Sequence, residues 1–251
     1  MFFGFNLQEI LMFPIKDEEA RKYFYIGILV SLLAFIIPIA PYIILFGYGA
    51  QIAKQILNGK SPRMVAWDDW GKLFKDGLKV FGARFIVGLP ILVFVIPLVI
   101  VSFIFPFMMD NASPSEVETI LPIYFAVIFG SICFIFPISL VMAVIIPAAE
   151  MKVLETDDFT ALFRVKEWWQ IFRANLGGFI AAFGIYYLVS FILAFAIQII
   201  FVTIILSCLL IVLMPAITIY ITLIMYATGA IAYKDGKAKL ELQTGEINAS
   251  A

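Results

Sequence analysis

The side chains with the most chemistry to offer sit in two short stretches of an otherwise apolar chain. In the first, Asp68 and Asp69 lie between Trp67 and Trp70, and Lys72, Lys75, Lys79 and Arg84 follow. In the second, Arg164, Lys166, Trp168, Trp169 and Arg173 are clustered. Adjacent carboxylates can hold a hard cation or a lipid head group, but such a cation asks for about six oxygen ligands and the sequence supplies none beside these two acids. The simpler role for an acid here is to cap a helix and complement its dipole. Tryptophan is at home at the headgroup level of a bilayer; the chemical alternative is an aromatic site for a quaternary ammonium. The cations suit an anionic lipid surface, at about 1 kcal/mol each, or serve only to hold their loops on the cytoplasmic side. These four tryptophans and seven cations are the candidate contact with lipid head groups or with a partner.

The elements that must position them follow from periodicity. Trp67, Trp70, Leu73, Phe74, Gly77, Leu78 and Phe81 recur at steps of three and four, with Lys72, Lys75, Asp76 and Lys79 opposite. That pattern predicts an amphipathic helix over 66–81 lying flat at a membrane surface. A partial second copy places Trp168, Ile171, Phe172, Arg173 and Leu176 against Trp70, Leu73, Phe74, Lys75 and Leu78 without a gap. The shared order of basic helix and apolar run reads as an internal repeat. The copy has Lys166 and Glu167 where Asp68 and Asp69 stand, which weakens the case for chemistry at that acidic pair.

Composition sets the class. Of 251 residues, 63% are hydrophobic and 14% charged, and mean hydropathy is +1.05; a soluble domain carries roughly 45–50% apolar and about 25% charged residues. The apolar runs are continuous rather than alternating, which selects spanning helices over a β-barrel. Histidine is absent, removing the commonest general base and a common metal ligand. No serine-centred or metal-spaced motif is visible, so no enzymatic activity, cofactor or metal is expected. No basic domain is present to bind nucleic acid. Cys133 and Cys208 lie in apolar runs and read as packing thiols. The opening residues lack a basic segment and a cleavage site, so no signal peptide is expected.

In chain order, 1–22 reads as a short interfacial helix broken at Pro14. Uncharged runs follow at Tyr23–Ala53, Phe85–Met109, Thr119–Ala149 and Ala174–Tyr233. The first contains Pro38 and Pro41 at its middle, and the last is long enough for two helices turning near Thr203–Cys208. The fold class is therefore an all-α polytopic integral membrane protein. Six transmembrane helices form three hairpins, Tyr23–Leu57, Ala83–Lys152 and Ala174–Tyr233, each following an interfacial helix. The alternative is five spans, with Tyr23–Ala53 as one kinked helix. The units are 1–57, 66–152 and 159–233, then a polar tail over 234–251 expected to be loose at its end. With six spans every Lys and Arg lies on one face, and the opposite loop holds only Asp110, Glu116 and Glu118. The positive-inside rule makes that basic face, and both termini, cytoplasmic in a plasma membrane. Asn111-Ala112-Ser113 is formally a glycosylation sequon, a weak signal this close to the bilayer.

The combination Asn58-Gly59-Lys60, then Trp67-Asp68-Asp69-Trp70-Gly71-Lys72-Leu73-Phe74-Lys75-Asp76-Gly77-Leu78-Lys79, between a Gly47-Tyr48-Gly49 span and a long apolar span, resembles the domain-of-unknown-function 4013 family. Phe13-Pro14-Ile15-Lys16-Asp17-Glu18 is similar to that family's opening. The resemblance implies a prokaryotic multi-span membrane protein and carries no chemistry with it.

Few other residues invite a role. Glu150 ends an apolar run and reads as a solvated interfacial acid; Glu155, Asp157 and Asp158 read as a solvated cluster ahead of a helix. No span holds a charge near its middle, which counts against a pump. Gln198, Ser190 and single Ser or Thr residues are the polar content of the spans, and Gln198 is expected to bond across helices. The expected function is a membrane scaffold or interaction protein, partnered by the bilayer and its anionic lipids and by a second copy or another protein. The alternative is a carrier for a lipid-like or other amphiphilic molecule.

Overall fold

The computed structural model describes residues 4–110, 112–202 and 208–249, and among them the chain is helical with no strand. The helices are α1 (Leu7–Met12), α2 (Glu18–Leu32), α3 (Ala40–Leu57), α4 (Trp70–Asp110), α5 (Pro114–Thr156), α6 (Val165–Ala174), α7 (Leu176–Val202) and α8 (Leu210–Ala249). Four of them, α4, α5, α7 and α8, are long and apolar enough to cross a membrane. Pro90, Pro97 and Pro106 lie inside α4 and Pro215 inside α8, and both helices remain continuous through them. The chain divides into two compact units, Met1–Arg84 with Pro147–Ala251, and Phe85–Ile146.

In the larger unit α8 is the hub, touching α1, α2, α3, α6 and α7. Its buried face is Ile219, Leu223, Ile224, Tyr226, Ala227, Ala230 and Tyr233, a helical repeat whose alanines let neighbours approach. Two glycines do the same for α3 and α4. A Cβ on Gly47 would lie 1.7 Å from the Leu73 carbonyl oxygen, and one on Gly77 would lie 1.8 Å from that of Ile43. The two helices therefore cross backbone to backbone. A Cβ on Gly49 would lie 2.2 Å from the Tyr226 ring, which seats that ring against α3.

Asn6 and Asp17 cap α1 and α2, with Pro14 in a short 3-10 turn between them. A short helix does precede Pro14, and Phe5, Ile10 and Phe13 are buried within the protein. α2 and α3 form the expected hairpin about Pro38 and Pro41. Their 15 and 18 residues reach only about 22 and 27 Å at 1.5 Å per residue, against a hydrocarbon core of about 30 Å. Neither arm is among the four helices long and apolar enough to cross. The hairpin tip is nevertheless apolar and bare: Phe35 is 69% and Ile36 78% exposed.

One expectation is corrected here. The stretch 66–81 is not a separate surface helix: Ala66–Asp69 precede the helix, and Trp70 onward runs without a break into the apolar part of α4. No proline lies between Trp70 and Leu89, and the glycines there do not interrupt the helix. The polar tail, expected to be loose at its end, continues α8 as a helix to Ala249, and Ser250 and Ala251 lie outside the described residues. Lys237 is ion-paired to Glu155 at 2.6 Å and Lys239 hydrogen-bonds Asn175. Asn111 of the sequon, and Thr203–Ser207 of the expected turn, lie outside the described residues.

The smaller unit holds the distal part of α4 and most of α5. Phe94 stacks with Phe134 at 5.1 Å and Phe105 with Tyr124 at 3.7 Å, so the two segments run antiparallel. Ser113 and Glu116 form a capping box at the start of α5, the Ser113 N–H and hydroxyl both donating to the Glu116 carboxylate. No Lys or Arg occurs between Phe85 and Ile146.

Candidate functional site

The ion-paired side chains of the larger unit form one layer, built from the end of α3, the start of α4, the end of α5 and the segment after it, α6 and the polar part of α8. Asp69 caps α4 by accepting the Lys72 N–H at 2.9 Å; Asp68 is exposed. Among the described residues no three acidic or cysteine side chains gather as metal ligands.

The first turns of α4 bury Leu73, Asp76, Gly77, Val80 and Ala83, and leave Trp70, Phe74, Leu78 and Phe81 exposed. The inward face is thus rotated from the one its apolar periodicity predicts. The close crossing at Gly47 and Gly77 sets that rotation, and it carries Asp76 inside. Asp76, expected on the polar side, is 3% exposed. Its Oδ1 meets the Lys54 ammonium at 3.0 Å, and its Oδ2 is buried without a partner. Lys54 also reaches Asp157 at 2.9 Å, and Lys79 reaches the same Asp157 oxygen at 2.8 Å. Asp157 has a left-handed φ of 55°, a conformation that Asp tolerates better than most residues. The Lys79 and Lys54 ammonium groups beside it hold its carboxyl down to about 2.

Glu150 is corrected as well. It is 1% exposed rather than solvated. Arg84 Nε and Nη2 donate to its two oxygens at 2.7 and 3.0 Å, a fork that fits a carboxylate. The guanidinium lies 5.1 Å from the Phe46 ring centroid and 3.4 Å from the Met225 sulfur. The sequence shows Glu150 only as an acid at a span end; no spacing rule connects it to a residue so far back in the chain. The acidic cluster is not merely solvated either. Glu155 accepts from the Tyr233 hydroxyl at 2.8 Å and from Lys237, while Lys152 bridges to Glu167 at 2.9 Å. Asp158 caps the 3-10 turn Phe159–Phe163 and pairs with Arg164 at 3.2 Å. The Thr160 hydroxyl and N–H donate to Asp158 and lower its carboxyl below the ordinary range.

The eleven candidate contact residues divide between interior and surface. Trp67 is 6% exposed, stacks on Tyr48 at 4.0 Å and donates its indole N–H to the Tyr23 carbonyl. Trp168 is equally buried and donates to the Leu162 carbonyl at 2.9 Å. Lys79, Arg84 and Arg164 are held in ion pairs. Trp70, Lys72, Lys75, Lys166, Trp169 and Arg173 face outward, and among the described residues none of these four cations has an ion-pair partner. Desolvation explains the division: an indole or ammonium turned inward must find an acceptor, and α2, α5 and the segment between α5 and α6 supply it. The two copies of the sequence repeat also present different faces. Trp168 and Phe172 are buried where Trp70 and Phe74 are exposed, because α6 ends at Ala174 and packs on α8 whereas α4 continues.

One residue that sequence reasoning passed over joins α7 to α8. Asn175 is 5% exposed, donates its amide to the Ala232 carbonyl at 2.8 Å and accepts from Lys239 at 2.6 Å. A Cβ on Gly178 would collide with it at 2.2 Å, so the glycine makes its room. An asparagine between two helices was the available signal, and it equally fits an ordinary linker.

Residues 29–202 match the family described as a protein of unknown function, DUF4013. The chain belongs to the DUF4013 family. The matched stretch of this DUF4013 protein runs from within α2 to the end of α7, so it contains the whole charged layer except the contributions of α8. No curated protein and no solved structure matches the chain.

Proposed function

We propose that this DUF4013 protein is a multi-pass scaffold of a prokaryotic plasma membrane, without catalytic activity, that presents basic and aromatic side chains to the cytoplasmic leaflet or to a partner docked there. The observation that carries this reading is the placement of charge. All 17 Lys and Arg residues lie in Met1–Arg84 or Pro147–Ala251, and the acids interleaved with them cross-link α3, α4, α5, α6 and α8. The positive-inside rule puts this layer in the cytoplasm. A rigid collar there would hold Trp70, Lys72, Lys75, Lys166, Trp169 and Arg173 at the headgroup level. In this reading α4, α5, α7 and α8 cross the bilayer, and the short α2–α3 hairpin enters it without crossing. Six full spans would require both hairpin arms to cross. Either count is even and keeps the termini together in the cytoplasm.

The test is lipid selectivity in reconstituted vesicles. Spin-labelled anionic lipid should be enriched around the full-length protein over neutral lipid at low salt. Lys72→Gln with Lys75→Gln should reduce that enrichment by up to about 2 kcal/mol, one for each charge. An unchanged enrichment would remove the lipid-facing role, and movement of an amphiphile across the vesicle wall would establish a carrier instead.

A further inference from the structure

Arg173 is the last charged residue before the uncharged run Ala174–Tyr233, and Asp235 and Lys239 stand just beyond its other end. Tertiary packing of α7 on α8 brings these three together. They line an open cavity of about 540 Å³ with Asn175, Gly4 and the first turn of α7. That volume is within the range of ligand sites, which is roughly 300–1,000 Å³. The cavity sits where polar sequence gives way to apolar on both helices, the depth of lipid head groups if α7 and α8 cross the membrane.

The charges around it are not satisfied by one another. Asp235 and Lys239 are four apart on α8, a spacing that favours an ion pair. The Lys239 ammonium instead turns to the Asn175 oxygen at 2.6 Å, and among the described residues neither Asp235 nor Arg173 has an ion-pair partner. Asp235 is half-buried, and Gly4 leaves room for it: a Cβ there would stand 3.0 Å from Asp235 Oδ2, at a φ of +87° that favours glycine. Lys234, the next charge along α8, is exposed. The cavity therefore offers two cationic groups and a separate carboxylate. That is complementary to a phosphate joined by a short link to an amine.

We propose that this cavity binds the head group of a phospholipid bearing a primary ammonium, the phosphate meeting Arg173 and Lys239 and the ammonium meeting Asp235. A primary ammonium can donate hydrogen bonds to the carboxylate, whereas a trimethylammonium has no N–H to give. The site thus selects phosphatidylethanolamine over phosphatidylcholine, and over phosphatidylglycerol, which has no cation for Asp235. The proposal rests on the membrane reading above, in that α7 and α8 must cross.

The experiment is native mass spectrometry of the full-length protein in detergent, with the three lipids at equal concentration and matched acyl chains. The result expected is roughly tenfold preference for the ethanolamine lipid over the choline lipid, the scale of one charge-assisted hydrogen bond. Asp235→Asn should abolish that preference while keeping phosphate binding, and Arg173→Gln should weaken all three lipids. Among the described residues neither side chain has a hydrogen-bond or ion-pair partner, so both variants should fold. Resistance to alkaline extraction, measured in parallel, reports membrane residence alone: its loss would sink the membrane reading, whereas full residence without selectivity would sink only the site. Equal binding of the three lipids, stronger binding of phosphatidylglycerol, or wild-type selectivity in Asp235→Asn would overturn the proposal. Binding of free glycerophosphoethanolamine as tightly as the lipid would reassign the cavity to a soluble ligand and overturn it too.

Discussion

Removing one member of the Arg84–Glu150 pair should cost far more than removing both, and the two single losses should be unequal. The side chain of Arg84 keeps 28% of its surface, that of Glu150 only 2%. Breaking a buried pair by deleting one partner costs about 3–5 kcal/mol, because an uncompensated charge is left behind. Arg84→Met strands the sealed carboxylate and should fall at the top of that range, about 4–5 kcal/mol. Glu150→Leu strands a guanidinium that can still turn toward solvent and keeps its contact with the Phe46 ring, so about 2–3 kcal/mol is expected. The double variant replaces the pair by apolar side chains next to Phe46 and Met225, and should lie within about 1 kcal/mol of the natural protein. The assay is reversible unfolding in mixed micelles as the denaturing detergent fraction rises, followed by tryptophan fluorescence; buried Trp67 and Trp168 report on the layer. Additive losses, or a Glu150→Leu loss exceeding that of Arg84→Met, would refute the reasoning. The first would show that the two charges are not coupled, the second that burial does not set the penalty.

Two further outcomes follow from the same layer. Asp157 is held down to about 2 by Lys79 and Lys54, against an ordinary value of 3.8. A depressed carboxylate stabilises the fold above its unfolded value and loses that contribution as pH falls through the folded one, so the loss should occur between pH of about 4 and 2. The side chain is 65% exposed, and solvent screening limits the contribution to about 1 kcal/mol or less. Asp157→Asn keeps the tolerance of a left-handed φ, and in acid titration of the unfolding midpoint it should lose less stability over that window than the natural protein, the remainder coming from other depressed carboxyls such as Asp158. For topology, single cysteines at Gln8, Ile37, Ser115 and Gly245, with Cys133 and Cys208 replaced, should label from outside intact cells only at Ser115. External labelling at Ile37 would establish that the α2–α3 hairpin crosses, giving six spans, and external labelling at only one terminus would establish an odd number.

Much of this protein was legible before any coordinate. Four apolar runs, the two-proline hairpin, the cap at Asp69 and the absence of Lys and Arg from Phe85–Ile146 are local properties. Length, charge and helical period determine them without reference to what a helix packs against. The family resemblance rested on a contiguous motif and needed no contacts either. What the sequence could not settle is which side of each helix faces inward. Periodicity placed Asp76 with the lysines, but the backbone contact at Gly47 and Gly77 turned α4 until Asp76 faced Lys54. Glu150 looked solvated because it stood at the edge of a span, and only folding brought Arg84 within 2.7 Å of it. Asp235 and Lys239 have the spacing of a helical ion pair, yet Asn175, from the junction of α6 and α7, takes the ammonium. Hydropathy reports how much of a residue avoids water. The partner that makes a buried charge tolerable comes from elsewhere in the chain, and tertiary structure alone decides which one it is.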